Sequence, residues 1–198
     1  MNRLALDDAA VIEASRAEPD RFALLFDRHA PYIHRYLARR VGRQAADDLV
    51  AETFLVAFGK RARYDPLHPD ARPWLYGIAT NLIAQHRREE ARQFRLRQAA
   101  GPAPVQHDWA ERSVLDVTAQ SLRAPLTQAL ARLARPDRDV LLLIASEQLS
   151  YDEVARALNI PVGTVRSRLH RARTKIREAL AGTPAAATYA ARVRERVA

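Results

Sequence analysis

The feature that most constrains the fold is the spacing of the apolar residues, which recur at helical intervals through most of the chain. Phe22, Leu25 and Phe26 begin one such series, which continues to Leu37 and ends near Gly42. Apolar residues three and four positions apart form one face of an α-helix, whereas a half-buried strand alternates them with polar residues. The sequence has only 6 glycines and no alternating β-branched run. This pattern predicts an all-α protein.

The helical pattern is interrupted in the middle of the chain. Between residues 95 and 124 the periodicity is lost, and this segment contains Gly101-Pro102-Ala103-Pro104, which is typical of a linker between domains. We therefore predict two small helical domains, at residues 19–94 and 125–181, joined by a flexible linker. The remaining residues form flanking segments: an N-terminal extension over 1–18 and an alanine-rich tail over 182–198.

Within each predicted domain the apolar spacing also indicates individual helices. In the first domain, helices are expected over 44–60 and from Pro73 past Arg92, separated by a loop that contains three prolines. Proline suits the first turn of a helix and interrupts most other positions. In the second domain the expected helices cover 126–134, 136–148, 150–158 and 163–180.

The charge of the chain predicts an anionic partner. Its 198 residues include 32 Lys+Arg and 23 Asp+Glu, a net charge of +9, and an excess of this kind favours nucleic acid or another acidic surface. Arginine accounts for 30 of the basic residues, and its planar guanidinium suits phosphate and base recognition. Two segments concentrate the positive charge: Arg87–Arg97, with five arginines and two glutamates, and Arg166–Arg177, with six basic residues and no acid.

Other classes of protein are disfavoured by what the sequence lacks. It has no cysteine, which excludes a disulfide framework, a thiolate metal site and a catalytic thiol. The six histidines are scattered and have no carboxylate cluster beside them, so we expect neither an enzyme nor a bound metal or cofactor. The first residues contain no apolar core of a signal peptide, and the longest strongly apolar run, Val140–Ala145, is far shorter than a membrane span. We expect a cytoplasmic protein without membrane insertion.

The strongest local signal is a helix-turn-helix near the C-terminus. Ser150 and Glu153 form a capping box that starts a helix, and Asn159 lies where the chain must turn through the left-handed region. In the second helix, Val165 and Leu169 belong to an inward apolar stripe. The opposite face presents donors and cations: Arg166, Ser167, His170, Arg171 and Thr174. This arrangement suits a helix lying in the DNA major groove, and the alternative is a solvated basic face on an ordinary helical hairpin.

The helix over 44–60 carries an acidic stripe opposite its apolar arc. Asp48, Glu52 and Leu55 fall together at spacings of four and three, so they share one face. A leucine between two acids on an outward face suits docking against a basic partner helix. A solvated acidic face with one stray leucine is the alternative interpretation. The apolar arc comprises Leu49, Val50, Thr53, Val56 and Ala57.

The segment from Phe58 to Arg97 mixes aromatic and cationic residues, a combination that holds single-stranded nucleic acid in other proteins. Its residues divide into two sides of the expected helix. One arc is expected to face the core: Trp74, Leu75, Ile78 and Leu82. The other side is expected to face outward and to offer contacts: Tyr76, Thr80 and Arg87.

Four segments together resemble the bacterial extracytoplasmic-function (ECF) sigma factors, the small promoter-recognition subunits of RNA polymerase. They are residues 47–54 (DDLVAETF), 72–82 (RPWLYGIATNL), 149–155 (LSYDEVA) and 160–173 (IPVGTVRSRLHRAR). The resemblance implies a non-enzymatic protein that binds core RNA polymerase and directs promoter-specific transcription initiation through the −10 and −35 elements. The alternative is a stand-alone helix-turn-helix regulator that binds duplex DNA without polymerase.

The resemblance also implies roles for domains and residues. Residues 19–94 would be sigma region 2 and residues 125–181 sigma region 4, whose helices over 126–148 would cradle the flap of the β subunit. An anti-sigma factor becomes a candidate partner. The β′ clamp helices would be bound by Asp48, Glu52 and Leu55. The −10 element would be contacted by Lys60, Arg61, Arg63, Tyr64, Tyr76, Asn81, Arg87 and Arg88. The −35 element would be contacted by Thr164, Arg166, Ser167, Arg168, His170 and Arg171.

Overall fold

The computed structural model describes residues 6–99 and 117–181 of the chain. Every regular element within these two ranges is helical, with eight α-helices and two short 3₁₀ helices, so the prediction of an all-α fold is confirmed. The helices form two compact units, one N-terminal and one C-terminal. Residues 100–116 of the predicted linker and the predicted tail over 182–198 lie outside the described residues.

The first unit consists of four α-helices: α1 (Asp8–Ala17), α2 (Ala23–Val41), α3 (Arg43–Lys60) and α4 (Arg72–Ala99). Two 3₁₀ helices, Pro19–Phe22 and Arg61–Arg63, precede α2 and follow α3. Helices α2, α3 and α4 all pack against one another. Their buried side chains form the core of the unit and include Leu25, Ile33, Leu37, Ala46, Phe54, Leu75 and Ile83.

The turn between α2 and α3 follows from a single glycine. Gly42 has φ of +84°, which glycine adopts without the steric penalty that other residues meet. Its N–H donates to the carbonyl of Ala38 at 3.0 Å and its carbonyl accepts from the N–H of Ala46 at 3.1 Å. The predicted end of the helix near Gly42 is therefore confirmed, and α3 begins at the next residue.

Helix α1 lies within the segment predicted as an N-terminal extension. The Asp7 side chain caps it by accepting from the Ala10 N–H at 2.7 Å. Val11 and Ile12 are each 1% exposed, and α1 packs against α2 and the 3₁₀ helix Arg61–Arg63. The segment before residue 19 is therefore part of the first unit.

The second unit contains α5 (Val117–Arg132), α6 (Arg135–Ala145), α8 (Val162–Ala181) and most of α7 (Tyr151–Leu158). Helices α5 and α6 both pack against α8. The start of α5 precedes the predicted start at residue 126, because the helix continues through Pro125. Proline removes one backbone hydrogen bond from a helix interior, but packing against a neighbouring helix can offset that cost. Helices α6 and α8 begin within one residue of their predicted starts.

None of the described helices combines the length and the apolar composition that a membrane crossing requires.

Candidate nucleic-acid and docking surfaces

Helix α8 has one buried face and one exposed cationic face. Val165 and Leu169 are 0% and 2% exposed, and Ala172 is also buried. The opposite face exposes four predicted contact residues, which are Arg166, Ser167, His170 and Arg171. Thr164 and Arg168 are partly buried at its margins. This separation is what a helix needs in order to pack on its own unit and present donors to a groove.

The start of α7 and the turn between α7 and α8 have the geometry that the sequence predicts. The Ser150 N–H donates to the Glu153 carboxylate at 2.7 Å, and the Glu153 N–H donates to the Ser150 hydroxyl at 3.3 Å. The predicted capping box is therefore confirmed. Asn159 has φ of +50°, which confirms the predicted left-handed turn residue between α7 and α8.

Arg171 makes an ion pair with a residue that is distant in the sequence. Its Nη2 lies 3.0 Å from Oδ1 of Asp137, and its Nε lies 3.4 Å from Oδ2. Asp137 is in the first turn of α6 and its side chain is 5% exposed, whereas that of Arg171 is 55% exposed. The hydrogen bond to Asp137 raises the pKa of the Arg171 guanidinium. Sequence reasoning missed Asp137, and the only signal was an acid at a helix start.

The acidic stripe of α3 is exposed as predicted. Asp48 and Glu52 lie on the solvent side of the helix, and Leu55 is 70% exposed. On the opposite side Leu49, Val50, Thr53 and Ala57 are buried. A large apolar side chain at this exposure beside two carboxylates is typical of a protein-binding surface.

The predicted −10 residues are divided between exposed and anchored side chains. The exposed members are Lys60, Arg63, Asn81 and Arg88. Arg61 instead donates to the carbonyls of Phe58 at 2.8 Å and Ser15 at 3.3 Å. Arg87 donates to the carbonyl of Arg40 at 2.7 Å. These two arginines therefore brace the backbone of their own unit.

Two tyrosines of the predicted −10 set are buried. Tyr76 is 1% exposed, and its ring packs edge-on against Tyr36 of α2 with centroids 5.2 Å apart. Thr80 is buried too and shares a 2.7 Å hydrogen bond with the Tyr36 hydroxyl. The prediction that Tyr76 and Thr80 face outward is wrong, because α2 covers this side of α4. Tyr76 is therefore not exposed for contact with DNA in this structure.

Tyr64 is anchored in the loop between α3 and α4. It is 7% exposed, its hydroxyl donates to the His68 carbonyl at 2.6 Å, and its ring lies against Trp74. Burial raises the pKa of the Tyr64 phenol, and the nearby carboxylates of Asp8 and Asp70 raise it further. Tyr64 fixes the loop that the sequence predicts to contact DNA, and its ring is covered rather than free to stack.

Asp8 connects α1 to this same loop. Its carboxylate accepts from His29 Nε2 at 2.7 Å, from Arg28 Nη1 at 3.0 Å and from the Ala71 N–H at 3.1 Å. Its own N–H donates to the Pro69 carbonyl at 3.1 Å. Burial alone would raise the pKa of Asp8, but the hydrogen bonds from His29, Ala71 and Arg28 outweigh it and lower that pKa. Sequence reasoning assigned no role to Asp8, because all of these partners are distant in sequence.

Comparison with known proteins places both units in one family. A family model described as Sigma-70 region 2 matches residues 25–93, and one described as Sigma-70, region 4 matches residues 123–176. The RNA polymerase sigma factor CarQ of Myxococcus xanthus is 34% identical over 165 residues, which cover 81% of this chain and 90% of CarQ. The ECF RNA polymerase sigma factor SigL of Mycobacterium tuberculosis is 35% identical over 166 residues, which cover 83% of this chain and 91% of SigL.

Solved structures show the same fold. The sigma factor RpoE from Bartonella quintana, solved with the anti-sigma factor NepR, has a TM-score of 0.60 at 23% identity and covers 81% of this chain and 97% of its own. CnrH, solved with the cytosolic domain of CnrY, has a TM-score of 0.61 at 23% identity and covers 87% of this chain and 96% of its own.

The chain belongs to the ECF sigma factors of bacterial RNA polymerase. It therefore directs promoter-specific initiation of transcription, with RNA polymerase and promoter DNA as its partners. Its family is a non-catalytic one. A stand-alone helix-turn-helix regulator is not favoured, because such a protein has no need of the region 2 match over residues 25–93.

Proposed function

We propose that the stripe formed by Asp48, Glu52 and Leu55 on α3 is the surface through which this sigma factor docks on the β′ clamp helices of core polymerase. The observation that supports it most is the 70% exposure of Leu55. An apolar side chain at the end of the stripe supplies buried area, and the two carboxylates before it supply charge complementarity to a basic helix. The opposite face of α3 is buried in the core of the unit, whereas this stripe is exposed and accessible to a partner.

Residues 19–94 act as region 2, together with α1, and recognise the −10 element. The direct contacts come from the exposed set, which is Lys60, Arg63, Asn81 and Arg88. Arg61, Tyr64 and Arg87 have a supporting role within the first unit, since each donates to one of its backbone carbonyls. Phosphate contacts of exposed cations would supply affinity here, and the shape of the fixed loop would supply selectivity.

Residues 125–181 act as region 4 and recognise the −35 element through α8. Arg166, Ser167, His170 and Arg171 point away from the buried stripe, so they are placed to meet base edges in the major groove. Thr164 and Arg168 are partly buried at the margin of this face, where they would contact the sugar-phosphate backbone. Helices α5 and α6 hold α8 from behind and are the elements that would receive the β flap.

The setting and further partners follow from this assignment. The protein works in the cytoplasm, where RNA polymerase transcribes, and we assign it no catalytic step of its own and no cofactor. RpoE of Bartonella quintana was solved with the anti-sigma factor NepR. An anti-sigma factor is accordingly a further proposed partner of this chain, one that would hold it until an inducing signal.

The docking surface is tested by charge reversal. The double variant Asp48→Arg/Glu52→Arg is expected to lose co-purification with core polymerase, because it places cations opposite a basic helix. The matched control is Glu89→Arg/Glu90→Arg, which changes the net charge by the same amount on exposed positions of α4 and should retain core binding. Circular dichroism of both proteins verifies that they remain helical.

Retained binding of the first variant, at the level of the control, would refute the docking surface. Loss of binding in both variants would also count against it, because the effect would then come from total charge rather than from the stripe. A third variant, Leu55→Ala, separates the apolar part and should weaken core binding without changing charge.

A further inference from the structure

The Asp137–Arg171 pair has an unusual distribution of exposure. The carboxylate is almost fully enclosed, at 5% exposure, while the guanidinium that it holds is 55% exposed. Both oxygens of Asp137 are engaged by one edge of Arg171, since Oδ1 accepts from Nη2 and Oδ2 accepts from Nε. The enclosed partner is therefore fixed, and the exposed one is oriented by it.

The geometry leaves the other edge of the guanidinium available. Arginine carries N–H groups on Nε and on both terminal nitrogens in a rigid fork. With Nε and one side of Nη2 occupied by Asp137, the remaining parallel N–H groups are those of Nη1 and the outer side of Nη2. A parallel pair of this kind matches O6 and N7 of guanine in the major groove, where arginine makes its most specific base contact.

The carboxylate of Asp137 also favours a base contact over a phosphate contact for Arg171. A neighbouring carboxylate reduces the net positive potential that a phosphate contact depends on. The same carboxylate favours bidentate base reading, because it restricts a long side chain to one orientation before binding and so lowers the entropy cost of association. Asp137 is further suited to this task since it lies in the first turn of α6, where a negative charge is stabilised by the helix N-terminus.

We propose that Asp137 is a positioning residue that holds Arg171 for bidentate recognition of one guanine in the −35 element. This inference rests on the proposed function, specifically on α8 reading the −35 element. It assigns specificity at one base pair to a residue of α6 that does not itself face DNA.

The test is selection of DNA by the holoenzyme. Core polymerase carrying the wild-type chain, Arg171→Ala or Asp137→Asn is mixed with a pool of random-sequence duplex DNA, and the bound fraction is sequenced. For wild type we expect one −35 position at which guanine is preferred by about 10-fold or more. Arg171→Ala should abolish that preference, and Asp137→Asn should reduce it several-fold at the same position only.

A matched control and a double variant complete the design. Asp152→Asn removes an exposed acid of the same unit and should leave the base preferences unchanged. If Asp137 acts through Arg171, the double variant Asp137→Asn/Arg171→Ala should show the same base preferences as Arg171→Ala alone. In Asp137→Asn the Arg171 cation has lost its carboxylate partner, and the double variant removes that cation as well. The double variant therefore remains informative if Asp137→Asn folds poorly because of the unpaired cation.

Each result has a distinct meaning. If Arg171→Ala abolishes a guanine preference that Asp137→Asn retains in full, the role of Asp137 is wrong while the −35 assignment stands. If Asp137→Asn weakens binding equally for all sequences, its role is structural and the inference fails. If Arg171→Ala leaves every base preference intact, Arg171 does not read a base, and this part of the proposed function fails together with the inference.

Discussion

Helices α4 and α8 both carry an apolar arc beside arginine-rich sequence, yet they are buried in different ways. Helix α8 is covered on one side, and the opposite side exposes Arg166, His170 and Arg171. The first turns of α4 are covered on two sides, because α2 and α3 both pack against it. The exposed cations of α4 lie farther along, at positions such as Arg88. The sides on which the neighbouring helices pack, rather than the apolar pattern, decide which polar residues remain available.

A buried polar chain makes the second covered side of α4 possible. The Thr80 hydroxyl donates to the Tyr76 carbonyl at 2.7 Å, and Arg40 Nη1 donates to the Tyr36 hydroxyl at 2.8 Å. The Tyr36 hydroxyl and the Thr80 hydroxyl are themselves joined at 2.7 Å. These three hydrogen bonds lower the cost of enclosing the two hydroxyls and Arg40 Nη1.

The largest effect expected from this contrast is at Tyr76. Tyr76→Ala removes an enclosed ring and should lower the free energy of unfolding by about 3–5 kcal/mol. His170→Ala, at an exposed position of α8, should change it by less than about 0.5 kcal/mol. Urea unfolding of the full chain followed by far-UV circular dichroism measures both. Similar decreases in the two variants would contradict the difference in burial.

The next effect is expected at Asp8, which in the first unit is an enclosed carboxylate with a basic partner, as Asp137 is in the second. Asp8→Asn removes the negative charge of the carboxylate that accepts hydrogen bonds from Arg28 and His29. This change should lower the free energy of unfolding by about 1–3 kcal/mol at neutral pH. Asp137→Asn, whose partner is more exposed, should have the smaller effect on stability. An equal or larger decrease for Asp137→Asn would reverse this ranking.

Asp8 also predicts a dependence of stability on acid. Its folded pKa is lowered from the ordinary value of 3.8, so its contribution is fully present above that value and is lost as the pH falls through the folded pKa. Unfolding measured in steps below about pH 5 should show wild type approaching the stability of Asp8→Asn. A constant difference between the two proteins down to the lowest pH would contradict this sign.

A smaller effect is expected at the capping box of α7. Ser150→Ala removes the hydroxyl that accepts from the Glu153 N–H and should cost about 1 kcal/mol of stability. Ser146→Ala is a suitable control, because Ser146 is exposed and follows the end of α6. Hydrogen exchange of the α7 amides should rise in the first variant only.

The smallest effects on folding are expected at exposed cations, where DNA binding changes instead. Arg88→Ala on α4 and Arg166→Ala on α8 should leave the unfolding midpoint nearly unchanged. Removing a cation that binds one phosphate reduces the slope of log affinity against log salt by about one. Titrating holoenzyme on promoter duplex at several salt concentrations measures that slope. If a variant leaves both the slope and the base preference unchanged, the substituted arginine does not contact DNA.

Local signals predicted the second unit well. The capping box at Ser150 and the left-handed Asn159 depend on residues within a few positions, so the sequence alone is sufficient to place α7 and α8. The same holds for Gly42 between α2 and α3, and for the exposed stripe at Leu55. Side chains whose environment is set by adjacent turns of one helix can be located from periodicity.

Contacts between segments that are distant in the sequence could not be predicted from local signals. Asp8 binds Ala71, 63 residues away, and Asp137 binds Arg171, 34 residues away, so no spacing rule connects them. Tyr76 was assigned to the wrong side for the same reason, since only the position of Tyr36 shows that α2 covers it. The assignments of individual residues to polymerase and DNA remain predictions that the experiments above address.

The bonds from Asp8 to the loop before α4 have a consequence for building hybrid sigma factors. The family match for region 2 begins at residue 25, yet the loop is held by a carboxylate seventeen positions upstream and by the backbone of the same residue. A chimera joined at the start of the family match would bring in a foreign α1 or none, and would lose the bonds to Ala71 and Pro69 unless the foreign segment supplied them. A junction placed before Asp7 transfers the loop together with the helix that shapes it.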